Sequence, residues 1–140
     1  MTESASDLAL RNRGIVLALY AAFAAPDIPA ILARLSPGVV WAEPDNPLNP
    51  AGGERHGHAG FLEWAQIGAQ AEEILILEPR RFIADGDAVV VVGVTRCRVR
   101  STGKTYETDF VHLVTIGDGL VTRFQEFFDT YAAAEAFRAE

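Results

Sequence analysis

The 140-residue chain has a single cysteine, Cys97, and no surplus of positive charge. One cysteine excludes an intrachain disulfide and any zinc site built on cysteines, and it fits a reducing compartment. At a net charge of -7 the chain lacks the clustered Lys and Arg that phosphate binding needs, so no nucleic-acid partner is expected. Long apolar runs are also missing. The longest, Ile15 to Ala25, falls short of the roughly 20 residues of a membrane span. The opening MTESASDLALRNRG has no apolar signal core. A soluble, cytoplasmic protein with no membrane partner is the expectation. What is present is ordinary for a globular chain: 49% apolar and 22% charged residues, enough to fold into one domain over residues 1–140.

From Asp7 to Ala25, Leu8, Ile15, Val16, Leu19 and Phe23 recur at helical spacing. Ser6 or Asp7 is the expected N-cap, and Pro26 ends the helix. Asp27 caps a short second helix in DIPAILARL, with Pro29 in its first turn. Val39 to Glu43 reads as a brief strand, and the Pro-, Gly- and Asn-rich stretch from Pro44 to Arg55 as a loop. A third helix covers roughly Ala59 to Gln70, with Phe61 and Trp64 on one side. The period then changes to that of strands in EILILEPRRFIA, AVVVVGVTRCRVR, KTYETDFVHLVTI and LVTRFQEFFD. DGD, STG and GDG separate these runs at hairpin spacing. The tail TYAAAEAFRAE holds a further helical turn or two. Helices followed by a strand meander predict an α+β fold, with helices on one face of a curved antiparallel sheet.

Alternation sorts the strand residues by face. In VVWAEPDNP it puts Val39, Trp41 and Glu43 together, so a carboxylate shares a face with a large aromatic just before Pro44 ends the strand. In the strand after DGD, Arg96, Arg98 and Arg100 oppose Thr95, Cys97 and Val99. Three unpaired arginines do not enter an apolar interior, so the Cys97 face points inward and the arginines meet solvent or another subunit. In the next strand Phe110, His112 and Val114 alternate with Asp109, Val111 and Leu113. Apolar residues on both faces predict helices over one side and a second copy over the other, a homodimer. The last strand sets Phe124, Glu126 and Phe128 against Arg123, Gln125, Phe127 and Asp129. A single bulge exchanges those faces, so its inward side stays open. His56 and His58 have H-x-H spacing, but two ligands on a glycine-containing loop do not make a zinc site, and no metal is expected.

The strings LALYAAFAAPDIPAILARLSPGVVWAEP, HGHAGFLEW and TGKTYETDFVHLVTIGDGLVTRFQEFFD, in this order of elements, resemble the nuclear transport factor 2-like superfamily. Within it the ketosteroid isomerases and SnoaL-like polyketide cyclases are most similar. The resemblance covers nearly the whole chain and implies a cone-shaped, cystatin-like fold with a deep apolar pocket between sheet and helices. That fold hosts isomerases, cyclases, epoxide hydrolases, dehydratases and non-catalytic binders, so function must be argued from the site. By resemblance, Tyr20 falls where isomerases keep a tyrosine that hydrogen-bonds the substrate carbonyl. Glu43 falls where they keep an aspartate as the proton-transferring base. His112 falls where they keep a protonated aspartate as the second oxyanion donor. The epoxide hydrolases' Arg-x-Asp pair is replaced by Arg96-Cys97-Arg98, although Asp129 matches their second aspartate. Polyketide cyclases imply an acid near the end of the last strand, Glu126 or Asp129.

The chemistry follows from desolvation. A carboxylate on an apolar face loses hydration and becomes a better proton acceptor near neutral pH. Removing a proton next to a carbonyl creates an enolate, whose oxygen needs fixed donors in a dry site. The expected site therefore has Glu43 as base and Tyr20 and His112 as donors, with Glu126, Asp129 and Asp109 as candidate second acids. Strand parity puts Asp109 opposite His112. Val16, Phe23, Trp41 and Phe61 are expected to wall the pocket from the helices and the first strand. Trp64, Cys97, Phe110 and Phe128 complete the wall, Cys97 having no adjacent base to activate it. The reading is a cofactor-independent isomerase or cyclase acting on a small apolar steroid- or polyketide-like compound. A second reading is a non-catalytic binder of a small hydrophobic ligand, and a third is an association module whose pocket is filled by its own side chains. In those readings Tyr20 is an edge tyrosine of the core, Glu43 accepts N–H groups of the following turn, and His112 is a satisfied core histidine.

Overall fold

Ser4 begins the first helix: its hydroxyl accepts the Asp7 backbone N–H at 3.1 Å, a cap earlier than the expected Ser6 or Asp7. The computed structural model describes residues 3–140, and α1 runs Ala5–Ala24. Asp27 caps α2 (Ile28–Arg34) by accepting the Ala30 N–H at 3.1 Å, with Pro29 in the first turn. The remaining elements are β1 (Leu35–Glu43), β2 (Gly53–His56), α3 (Gly57–Ala71), β3 (Glu72–Asp85), β4 (Ala88–Val99), β5 (Thr105–Gly117), β6 (Leu120–Phe128) and α4 (Thr130–Phe137).

The strands form one curved sheet in the order β2-β1-β6-β5-β4-β3. The meander β3 to β6 is antiparallel throughout, but β1 runs parallel to β6, so the sheet is mixed at that seam. β2 corrects the expectation of a plain loop from Pro44 to Arg55. It pairs Val40 with His56 and Glu43 with Gly53, and its four residues, a glycine and three polar ones, are too few to show alternation. The rest of that segment is held by asparagines: Asn46 Oδ1 accepts the Leu48 N–H at 3.0 Å and Asn49 Oδ1 the Ala51 N–H at 3.0 Å. Gly52 permits the tight return, because a Cβ there would lie 2.8 Å from the Pro44 carbonyl oxygen.

The core lies between the concave face and α1–α3. Trp41 stacks on Phe124 at 4.0 Å between ring centroids, and Phe61 meets Trp41 edge-on at 4.7 Å. Each such side chain contributes roughly 1.5–3 kcal/mol by leaving water. Val16 is wholly buried in this cluster. It is core rather than part of the pocket wall, contrary to expectation, because it lies a turn before Tyr20 on α1, and Tyr20 and Phe23 are the α1 residues that line the cavity. Gly93 interrupts the valines of β4 for a packing reason: a Cβ there would come within 2.5 Å of the Phe110 ring. At the other end of the sheet α4 lays Ala133 and Ala136 over Cys97, Val99 and Tyr106. Among the described residues no helix is long and apolar enough to cross a membrane.

Candidate functional site

Strand register builds the site. Trp41 of β1 pairs with Phe124 of β6, and Val114 of β5 lies on the far side of Phe124. Two residues further along, the same inward parity brings Glu43 level with Glu126, and Glu126 is paired directly with His112. Two carboxylates and an imidazole thus stand side by side on adjacent strands about 4.8 Å apart. The register also settles the last strand: Phe124, Glu126 and Phe128 face inward, while Phe127 is 46% exposed.

These groups line a cavity of about 280 Å³. Its walls are largely aromatic, including Phe23, Trp41, Phe61, Trp64, Phe110 and Phe128. Cys97 also faces it, as the alternation of β4 predicts. Ile28, Ile74 and Leu77 are partly exposed at its rim. The cavity is left open rather than plugged by its own side chains.

Glu43 does not cap the following turn. Trp64 Nε1–H donates to its Oε1 at 2.8 Å and Asn49 Nδ2–H to its Oε2 at 2.6 Å. Burial raises its pKa above the usual carboxylate range, and these two donors oppose the rise. Glu126 has no such donors. Burial, then the charges of Glu43 and Glu72, hold its pKa well above the usual value. His112 is 6% exposed, stacked on Phe110 at 4.2 Å, and burial lowers its pKa to about 3. Its Nε2 lies 3.9 Å from Glu126 Oε1. With the imidazole neutral, that contact is not an ion pair. On its other side, His112 Nδ1 is hydrogen-bonded to the Tyr20 hydroxyl, whose pKa is raised by burial and by Glu126.

The fold therefore brings Tyr20, Glu43, His112 and Glu126 together. It does not bring the other two candidate acids. Asp109 and Asp129 line a polar hollow on the convex side with Glu107. Asp129 is spent as the N-cap of α4, accepting the Ala132 N–H at 3.0 Å. His56 is exposed beside Glu54, and His58, in α3 rather than a loop, is bonded to the Leu35 carbonyl oxygen. No cluster of metal-ligating side chains occurs among the described residues.

Sequence reasoning missed Asn49, Glu72 and Tyr106. Tyr106 donates to both carboxylate oxygens of Glu72, at 2.8 and 2.9 Å. Burial raises the Glu72 pKa. Burial, then the Glu72 charge, pushes the Cys97 thiol up to about 12. Alternation back from His112 through Phe110 and Thr108 reaches Tyr106, so that residue was findable. Glu72 sits where the helical period gives way to the strand period, and Asn49 sits in a loop with no period at all.

A curved sheet wrapped over an acid-bearing apolar cavity defines the nuclear transport factor 2-like class. The chain is similar to a protein of that kind from Burkholderia xenovorans (34% identity, 93% of this chain and 98% of the other, TM-score 0.85). It is also similar to one of unknown function from Burkholderia pseudomallei (30% identity, 92% and 98%, TM-score 0.84). A further similar structure is TerC co-crystallized with polyporic acid (37% identity, 91% and 98%, TM-score 0.74). No curated protein matches. Residues 16–124 match the SnoaL-like domain, and the chain belongs to that family.

Proposed function

We propose that the protein is a cofactor-independent acid–base catalyst, an isomerase or cyclase that abstracts a proton next to a carbonyl of a small apolar, polyketide- or steroid-like compound. The observation that carries this reading is the contrast between two neighbouring acids. Glu43 has donors on both oxygens, which favour its charged form, while Glu126 has none and burial raises its pKa well above the usual value. Environments that push two carboxyl groups apart assign base and acid. Glu43 takes the proton from carbon. Glu126 and the Nε2–H of His112 face the oxygen on which charge develops. With the Tyr20 hydroxyl as the donor in its contact with Nδ1, the ring hydrogen of the neutral imidazole is on Nε2. In this reading Tyr20 acts through His112 rather than as a separate donor to the oxyanion. The working protein is a homodimer joined through the convex sheet face, where Ile83, Val111 and Phe127 are exposed.

The test uses 2-tetralone in D2O, with exchange of its α-protons followed by NMR, and 2-naphthol as the matching enol mimic. Wild-type protein is expected to accelerate exchange over buffer, 2-naphthol to inhibit it, and Glu43→Gln to lose about 10²–10⁴ of the acceleration while still binding 2-naphthol. Binding of 2-naphthol with no exchange above buffer favours the second reading, a non-catalytic carrier of hydrophobic ligands in the same cavity.

A further inference from the structure

The cavity has two polar poles, and the reaction proposed above uses only one. Along the inward face of β5, His112 and Tyr106 are six residues apart, with Thr108 and Phe110 between them, yet the Glu72 charge still reaches Glu126, so a one- or two-ring molecule bridges the two poles. The His112 pole is an imidazole whose side chain is only 8% exposed and lines the cavity, with Nε2 3.9 Å from Glu126. The other pole lies under α4. There Glu72 is fixed by Tyr106, whose single hydroxyl hydrogen is shared between both carboxylate oxygens. Each oxygen therefore retains accepting capacity toward the cavity. Cys97 and Thr95 flank this pole.

The charge balance of the wall is equally informative. Glu43, Glu72 and Glu126 all line the cavity, and among the described residues none of the lining is Lys or Arg. An anionic ligand would meet three carboxyl groups in a low-dielectric space with no cation to pair with, which costs more than the apolar contact returns.

We infer that the ligand is an uncharged, elongated aromatic or polycyclic compound carrying a hydroxyl group at the end remote from the reacting carbonyl, which donates to Glu72, and that carboxylated or phosphorylated analogues are rejected. Tyr106 is a positioning residue that holds the Glu72 carboxyl toward the cavity. This rests on the cavity being the ligand site, as proposed above.

The test is equilibrium binding with matched probes at two spacings: 2-naphthol against 2,6-dihydroxynaphthalene, and 4-phenylphenol against 4,4′-dihydroxybiphenyl. In the pair whose length fits, the second hydroxyl is expected to tighten binding about tenfold, as a hydrogen bond to a carboxylate does. Glu72→Ala is expected to abolish that gain. Tyr106→Phe reduces the gain. 4′-Hydroxybiphenyl-4-carboxylate is expected to bind at least about tenfold more weakly than 4-phenylphenol, and the isosteric Glu72→Gln, which keeps the shape should Ala disturb folding, narrows that gap. A second hydroxyl worth less than twofold at both spacings, or a carboxylate that binds as well as the phenol, overturns the inference while leaving the pocket reading intact. Failure of every phenol to bind overturns both.

Discussion

The concave and convex faces of the same strands carry similar residue types and do different things with them. On β4, Cys97 points into the cavity and burial drives its thiol pKa up. One residue away, Arg98 lies outside and pairs with Glu73 at 2.9 Å. On β6, Glu126 faces inward without a hydrogen-bond donor, whereas its outward neighbour Arg123 lies 3.6 Å from Glu54. The aromatics divide the same way, Phe124 stacking on Trp41 and Phe127 left 46% exposed. Each convex carboxylate of this kind has water and a cation within reach, whereas Glu126 is buried with only other carboxylates acting on it. The difference lies in solvent access, which strand parity assigns residue by residue.

The largest expected effect sets one face against the other in stability. Phe61 is fully buried against Trp41, Trp64 and Phe23. Phe61→Ala is expected to lose about 3–5 kcal/mol in urea denaturation, the usual penalty for emptying an aromatic site in a core. Phe127→Ala should lose less than about 1 kcal/mol in an isolated monomer, since half of that ring is already in water. A comparable loss at both positions would break the contrast. Sedimentation would then distinguish the cause, because a convex face covered by a second copy makes Phe127→Ala weaken association as well as stability.

The acids sharpen the same contrast through pH. The folded-state pKa of Glu126 lies well above its unfolded value of 4.5. The native chain therefore keeps a proton that the unfolded chain releases, and this contribution falls as pH rises from about 4.5 through the raised value. His112 works in the opposite direction: its folded value of about 3 lies below 6.5, so its contribution grows between those limits and is complete above them. Glu126→Gln removes the first contribution and leaves the second. The variant is expected to gain on wild type by up to about 1.4 kcal/mol per pH unit over the window in which only the folded protein holds the proton. Parallel unfolding profiles for the two proteins from pH 5 to 8 would show that Glu126 is as well hydrated as a convex glutamate.

Much of this division was legible in the sequence. The row of Arg96, Arg98 and Arg100 identified the outward face of β4 without ambiguity, because three guanidinium groups have no apolar alternative. Val39, Trp41 and Glu43 were likewise placed by alternation alone. The last strand was not, since Phe occurs on both of its faces and only pairing with β5 fixes which one turns in. The partners of Glu43 were also hidden. Trp64 reads as one more helix aromatic, and Asn49 owes its position to a loop held by its own side-chain turns. Val16 shows the reverse error: periodicity identified it as inward, but it cannot tell a core position from a cavity wall. That distinction depends on where along the helix the cavity begins, a property of packing in three dimensions.

The smallest effect tests the convex side by itself. Arg98 and Glu73 are paired across β3 and β4, and the guanidinium donates to the carboxylate at 2.9 Å, geometry that on a static view suggests a strong contact. Both side chains are nearly half exposed, at 48% and 46%. Water screens the attraction, and fixing two long side chains consumes rotamer entropy, so exposed pairs of this kind contribute about 0.2–1 kcal/mol. Arg98→Ala is expected to fall within that range in chemical denaturation and to approach zero as salt is raised, because the Debye length contracts to about 3 Å at 1 M ionic strength. A loss that exceeds 2 kcal/mol and persists in high salt would mean the arginine row is itself shielded from solvent. The convex face would then have to be an interface, and the boundary drawn between the two faces would move outward to include a second subunit.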